Sequence, residues 1–208
     1  MTDVKQEISN FPKILEKIHN EVKKVIIGQE SIIDKIVLAL LCKGHILIEG
    51  NPGLAKTLIV TTFSKCIKCK SYRIQFTPDI LPSDILGTMV WEKNKFRPEY
   101  GPIKGPNFII ADEINRAPPK VHSALLEAMQ ERKISLIGDK DSPVDLGDPF
   151  MVLATQNPIE SEGVYELPQA QMDRFMLKIV IKYPSKEEEI EIMKRFGSNK
   201  EKYKDIEL

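Results

Sequence analysis

Eight consecutive residues, Gly50-Asn51-Pro52-Gly53-Leu54-Ala55-Lys56-Thr57, are of the types a phosphate-binding loop needs. They follow the pattern G-x-x-x-x-G-K-[ST], except that Ala55 stands at the second fixed glycine. In such a loop successive backbone N–H groups wrap an anionic phosphate, and the N-terminus of the next helix adds favourable partial charge. Lys56 would then reach the β- and γ-phosphates and the Thr57 hydroxyl would ligate Mg²⁺. The candidate nucleotide contacts run from Asn51 to Leu58: Asn51, Pro52, Gly53, Leu54, Ala55, Lys56, Thr57 and Leu58. Ala55 requires a backbone conformation that tolerates a Cβ.

A second segment, Phe108-Ile109-Ile110-Ala111-Asp112-Glu113, is an apolar run ending in two acids. Strand alternation sends neighbouring side chains in opposite directions, so the two carboxylates can take different roles. Asp112 would hold the Mg²⁺ shell and Glu113 would polarise an attacking water. A phosphate cradle, a metal and a positioned water are the parts phosphoryl transfer needs. Two further residues are ambiguous by themselves. Asn157 follows the run Met151 to Thr155, where a polar amide could orient that water, yet Asn157-Pro158 also reads as a plain turn signal. Arg174, just ahead of the last apolar run, reads alone as an ordinary surface arginine.

These residues need elements to hold them. Ile14, Ile18, Val22 and Ile26 recur every four residues, which predicts an amphipathic helix over about 11–26, stopped by Gly28. A more apolar helix fits about 30–43. Short apolar runs at 45–49, 72–76, 107–111, 151–155 and 176–181 read as strands, with helices expected at 56–64 and 120–132. Strands alternating with helices imply a parallel sheet covered on both faces. Residues 87–106 and 133–149 break the alternation and read as hairpins, the second turning at 138–142. After Tyr183-Pro184 a last helix is expected over 185–196, capped by Ser185 with acids at 187–189.

Composition narrows the function classes. Thirty Lys+Arg balance 30 Asp+Glu, so the net charge is zero and no global field draws nucleic acid or an anionic membrane. The longest apolar run, Ile36 to Cys42, has seven residues, against about 20 for a bilayer span. Cys66 and Cys69 form a lone C-x-x-C without a second pair, which argues against structural zinc and for reduced thiols in the cytoplasm.

With these signals in this order, the chain resembles the ATPase core of AAA+ proteins and, among them, the MoxR-type ATPases. The resemblance is carried by Val25 to Glu30, the loop octet with its Ala55, Arg73 to Asp84, Asp112 to Pro119, Leu126 to Glu131, Ala154 to Pro158 and Leu167 to Phe175. It implies a P-loop three-layer α/β/α fold with a five-stranded parallel sheet in the order 5-1-4-3-2 and two hairpin insertions. It further implies a homo-oligomeric ring, a hexamer, with ATP bound between neighbours and Ile27 and Gly28 near the adenine. Asn157 matches sensor 1, and Arg174 matches an arginine finger offered in trans. Arg116 is expected near the subunit interface. By the same resemblance residues 1–184 form the ATPase core, and 185–208 begin a helical lid that is expected to be cut short. The implied activity is Mg²⁺-dependent ATP hydrolysis that drives remodelling or maturation of a protein client, or metal or cofactor insertion. Such clients often carry a von Willebrand A-type domain. Two other readings are a nucleotide-dependent assembly scaffold with slow hydrolysis, and a DNA-associated motor or activator using Lys93, Lys95 and Arg97.

Overall fold

A computed structural model describes residues 2–51, 53–158 and 164–197, with side chains from residue 10 onward. Pro52 and residues 198–208 lie outside the described residues. The chain begins with α1 (Thr2–Lys23), α2 (Glu30–Leu41), β1 (Ile46–Glu49), α3 (Lys56–Cys66), β2 (Ser71–Gln75) and α4 (Pro82–Leu86). A hairpin of β3 (Gly87–Glu92) and β4 (Lys95–Tyr100) follows, then β5 (Phe108–Asp112), a 3-10 turn (Ile114–Arg116) and α5 (Pro119–Glu131). A small second hairpin, β6 (Lys133–Ile134) and β7 (Val144–Asp145), precedes β8 (Met151–Gln156), α6 (Gln169–Met172), β9 (Leu177–Val180) and α7 (Lys186–Phe196).

Five strands form one sheet in the order β2-β5-β8-β1-β9, every pair parallel. Counting only these five, that is 5-1-4-3-2 from the other edge, the order expected from the resemblance. The central strands are unbroken apolar runs because both of their faces are covered. Ile46, Ile48, Phe108, Ile110, Met151 and Leu153 pack with Val22, Ile33, Ile36 and Phe63 from α1, α2 and α3. Their alternates Leu47, Ile109, Ala111, Val152 and Ala154 pack on the other face with Ile85 of α4 and Leu125 and Met129 of α5.

Three expectations shift. The first helix ends at Lys23, and Val25 and Ile26 turn inward as buried residues. Gly28 (φ +70) and Gln29 (φ 62) then make the left-handed turn into α2, so Gly28 redirects the chain rather than ending α1. The first hairpin closes at Tyr100, with Lys93 and Asn94 both at positive φ in its two-residue turn, the backbone that matches strand twist. The second hairpin pairs only two residues on each side. Pro143 abuts β7 and offers no N–H to a ladder, while Leu136 and Leu146 leave the hairpin to join the core.

Candidate functional site

The phosphate-loop residues sit between the C-terminal end of β1 and the start of α3, where open α/β sheets bind ligands. Ala55 caps α3 at φ 54, ψ 24. The position thus keeps the left-handed backbone that glycine would take, at a cost on the order of 1 kcal/mol, rather than a conformation easy for a Cβ. Ala55 has no side-chain acceptor and so gives the first-turn amides of α3 no side-chain cap. Lys56 Nζ donates to the carbonyl of Gly50 and, at 3.2 Å, to that of Asn51. Asn51 Nδ2 reaches the Tyr183 hydroxyl at 3.2 Å, which ties the loop to the segment after β9.

Gly53, Leu54, Ala55, Lys56, Thr57 and Leu58 line a cavity of about 350 Å³ together with Asp112, Glu113 and Asn157. Asp112, at the end of β5, is held from three sides. Thr57 Oγ1 donates to its Oδ2 at 3.0 Å, Thr155 Oγ1 donates to Oδ1, and Arg73 donates to Oδ2 through Nε (2.9 Å) and Nη2 (2.6 Å). Burial pushes the Asp112 pKa up. The hydrogen bonds from Thr155, Arg73 and Thr57, with the Arg73 charge, outweigh that and hold the carboxyl below its ordinary range. Thr155 Oγ1 also accepts the Glu113 N–H at 3.0 Å, so one hydroxyl fixes both acidic residues.

Glu113 lies at φ 58, which turns it out of the strand direction. Its Oε2 accepts from Gln75 Nε2 at 2.8 Å and faces Arg116 Nε at 3.2 Å. Asn157 is gripped by buried Asn115, whose Nδ2 donates to the Asn157 carbonyl at 3.1 Å and whose Oδ1 lies 3.5 Å from its N–H. A hydroxyl and a carboxylate 3.0 Å apart on one cavity are the hard oxygen donors Mg²⁺ prefers, so the residues fit that ion.

A second cavity of about 220 Å³ shares Gly53, Leu54, Ala55 and Leu58 with the first. Its other walls are largely apolar: Val25, Ile26 and Ile27 from the α1–α2 turn, and Ile192 and Phe196 from α7. Ile27 is therefore a lining residue, whereas Gly28 is not among the residues that line the cavity. A Cβ on Gly28 would fall 2.2 Å from Glu188 Oε1 and displace the carboxylate that caps α7, and the φ of +70 itself favours glycine. A cavity lined by Lys56, Thr57, Asp112 and Glu113, joined by a glycine-containing loop to one walled by Val25, Ile26, Ile27, Ile192 and Phe196, matches a triphosphate and a planar base, so the residues also fit ATP.

Arg174 is not brought to this site. Its Nη1 donates to the Leu126 carbonyl at 3.3 Å, and it lines a separate cleft with Ser123, Glu127 and Gln171. Four residues of the site lie in segments that carry the resemblance, but neither their types nor their spacing assigns them a role: Arg73, Gln75, Thr155 and Asn115. Arg73 and Gln75 reach the acids only because β2 pairs beside β5, with Gln75 opposite Asp112.

The family model for the ATPase family associated with various cellular activities (AAA) matches residues 45–177. The chain is 54% identical over 185 residues to Chaperone MoxR1 of Mycobacterium tuberculosis, covering 88% of this chain and 48% of that protein. It is 46% identical over 182 residues to the uncharacterized protein YeaC of Bacillus subtilis, covering 86% and 56%. A crystal structure from Cytophaga hutchinsonii superposes with a TM-score of 0.78 at 47% identity, covering 95% of this chain and 60% of that one. The chain thus spans about half the length of these curated relatives. It belongs to the AAA ATPase family, as a MoxR-type member.

Proposed function

We propose that this chain binds ATP with Mg²⁺ at the two joined cavities and hydrolyses it to ADP and phosphate. The observation that carries the reading is the convergence of Lys56, Thr57, Asp112, Glu113 and Asn157, from three sequence-distant strand ends, on one cavity. Lys56 and the loop amides hold the phosphates, with Gly53 to Leu58 as the nucleotide contacts and Ile27 against the base. Thr57 and Asp112 hold the metal. When bound, the ion offsets charge that develops on the transferring phosphate. Glu113 orients and polarises the attacking water, and Asn157 fixes that water from the neighbouring strand. Arg174 serves a neighbouring subunit in a ring, for which a hexamer is the expected form.

Residues 1–184 act as the core, and α7 opens a lid over the base. The work of the ATPase is the chaperone-like remodelling of a protein client in the cytoplasm, and a client with a von Willebrand A-type domain suits the MoxR-type resemblance. Two substitutions test the chemistry. Lys56→Ala should weaken ATP binding by about 10²-fold or more, through loss of a charge-assisted contact. Glu113→Gln should keep ATP affinity within a few-fold and lower turnover by about 10²-fold or more. Calorimetry and phosphate release read the two effects. Undiminished turnover in Glu113→Gln would remove Glu113 from the mechanism.

A further inference from the structure

An ionised carboxylate offers about four acceptor positions, two on each oxygen, and the four donors on Asp112 crowd Oδ2 rather than sharing the two oxygens evenly. Arg73 Nε and Nη2 and Thr57 Oγ1 all reach Oδ2, and Thr155 Oγ1 takes Oδ1. The Asp112 side chain is only 9% exposed, whereas that of Arg73 is 53% exposed. Arg73 therefore approaches from the solvent side of edge strand β2, on the face it shares with Gln75. Its Nη2 also donates to Gln75 Oε1 at 2.7 Å. The guanidinium thus has a second partner and an open way out.

We infer that Arg73 is a positioning residue that competes with the divalent cation for Asp112 Oδ2, so that metal loading requires the guanidinium to give up that oxygen. The inference rests on the reading of Asp112 as part of the metal shell. A guanidinium within 2.9 Å of the oxygen and a divalent ion at the same oxygen repel each other, and screening is weak beside a buried carboxylate. Mg²⁺ also keeps several waters in an octahedral shell, and those waters need the volume the guanidinium fills. Arg73 thereby keeps Asp112 in position while lowering the site's affinity for the ion. Loading becomes contingent on nucleotide, whose phosphates bring the charge that repays the displacement of Arg73.

Mn²⁺, standing in for Mg²⁺, makes the competition measurable without turnover. The signal of free Mn²⁺ in electron paramagnetic resonance is followed as the ion is titrated into the 208-residue chain at saturating ADP, after metal-free ADP affinity has been fixed for each variant. Arg73→Met removes charge and donors but keeps length, and should bind Mn²⁺ about tenfold tighter than the parent chain. Arg73→Lys keeps the charge but loses the two-pronged contact, and should fall between the parent chain and the neutral variants. If Arg73→Met does not fold, Arg73→Gln carries the same expectation. Equal or weaker Mn²⁺ binding in the neutral variants would overturn the inference and leave Arg73 as a prop for Asp112. Asp112→Asn separates the two readings. If it weakens Mn²⁺ binding while the neutral variants do not tighten it, only the Arg73 inference fails. If it leaves Mn²⁺ binding unchanged, the metal role of Asp112 fails and the inference goes with it.

Discussion

His45 joins two elements through both ring nitrogens. Nδ1 accepts the Val152 N–H at 3.0 Å, and Nε2 donates to the Met129 carbonyl at 3.1 Å, so these partners require the neutral ring. Burial lowers its pKa from 6.5 to about 4, against the opposing pull of the Met129 carbonyl. Between those two values the unfolded chain binds a proton that the folded chain does not. Stability therefore rises with pH across that window and is lost as pH falls toward 4, by roughly 3 kcal/mol in total. Buried His122, whose pKa is also lowered by burial, adds the same sign. The carboxyls held below their ordinary range, such as Asp112, act at lower pH still. Urea unfolding at pH 7 and pH 5 should give a clearly lower midpoint at pH 5. His45→Gln should be less stable than the parent chain at pH 7 yet lose less on acidification. A variant that kept the full pH slope would move the effect to another group. What was legible at this scale was contiguous chemistry. The loop octet and the acid pair are local in sequence because the cradle is built from successive amides. Arg73 and Thr155 act on Asp112 through strand pairing, so their roles depend on register and leave no local pattern.

Helix α7 carries both halves of that lesson. Its start is written in the sequence: Ser185 Oγ accepts the Glu188 N–H at 3.2 Å, and Glu188 Oε2 accepts the Ser185 N–H at 2.8 Å. Acids at 187–189 suit the positive end of the helix. Its destination is not written there. Arg195 Nη1 donates to the Lys23 carbonyl at 3.0 Å, and Ile192 and Phe196 wall the apolar cavity. The packing face of a short amphipathic helix is visible from its spacing, but the surface that receives it is not. The five-residue α4, the 3-10 turn and the four-residue α6 escape a periodicity reading altogether, since each spans little more than one helical turn. Ser185→Ala should cost α7 about 1 kcal/mol. Because α7 walls the cavity proposed for the base, the same variant should also weaken ATP binding by up to about fivefold. Thermal unfolding and an equilibrium titration with a fluorescent ATP analogue measure the two effects together. A destabilised helix with unaltered nucleotide affinity would detach α7 from the site.

The two faces of the sheet decide how the whole molecule can use Arg174. The phosphate loop leads into α3, which packs on one face through Phe63, Ile59 and Val60. Arg174 hydrogen-bonds the carbonyl of Leu126 on α5, and α5 packs on the opposite face. An arginine anchored there lies across the sheet from α3 of its own chain. Head-to-tail assembly is the symmetric arrangement that offers such a group to the next copy, and it closes into a ring when the rotation allows. Arg174→Ala should therefore leave ATP affinity within about threefold, and lower turnover by about 10³-fold, as for an arginine supplied from a neighbour. On the proposed mechanism the Glu113→Gln chain should be slow for the complementary reason, since it retains Arg174 but lacks the group that polarises water. In a random one-to-one mixture, roughly a quarter of head-to-tail interfaces pair an intact Glu113 with an intact Arg174. Phosphate release by the mixture should then rise well above that of either variant alone, and rise with total protein concentration as rings assemble. A mixture no more active than its components, under conditions where both variants assemble, would mean that Arg174 acts within its own chain or outside the reaction.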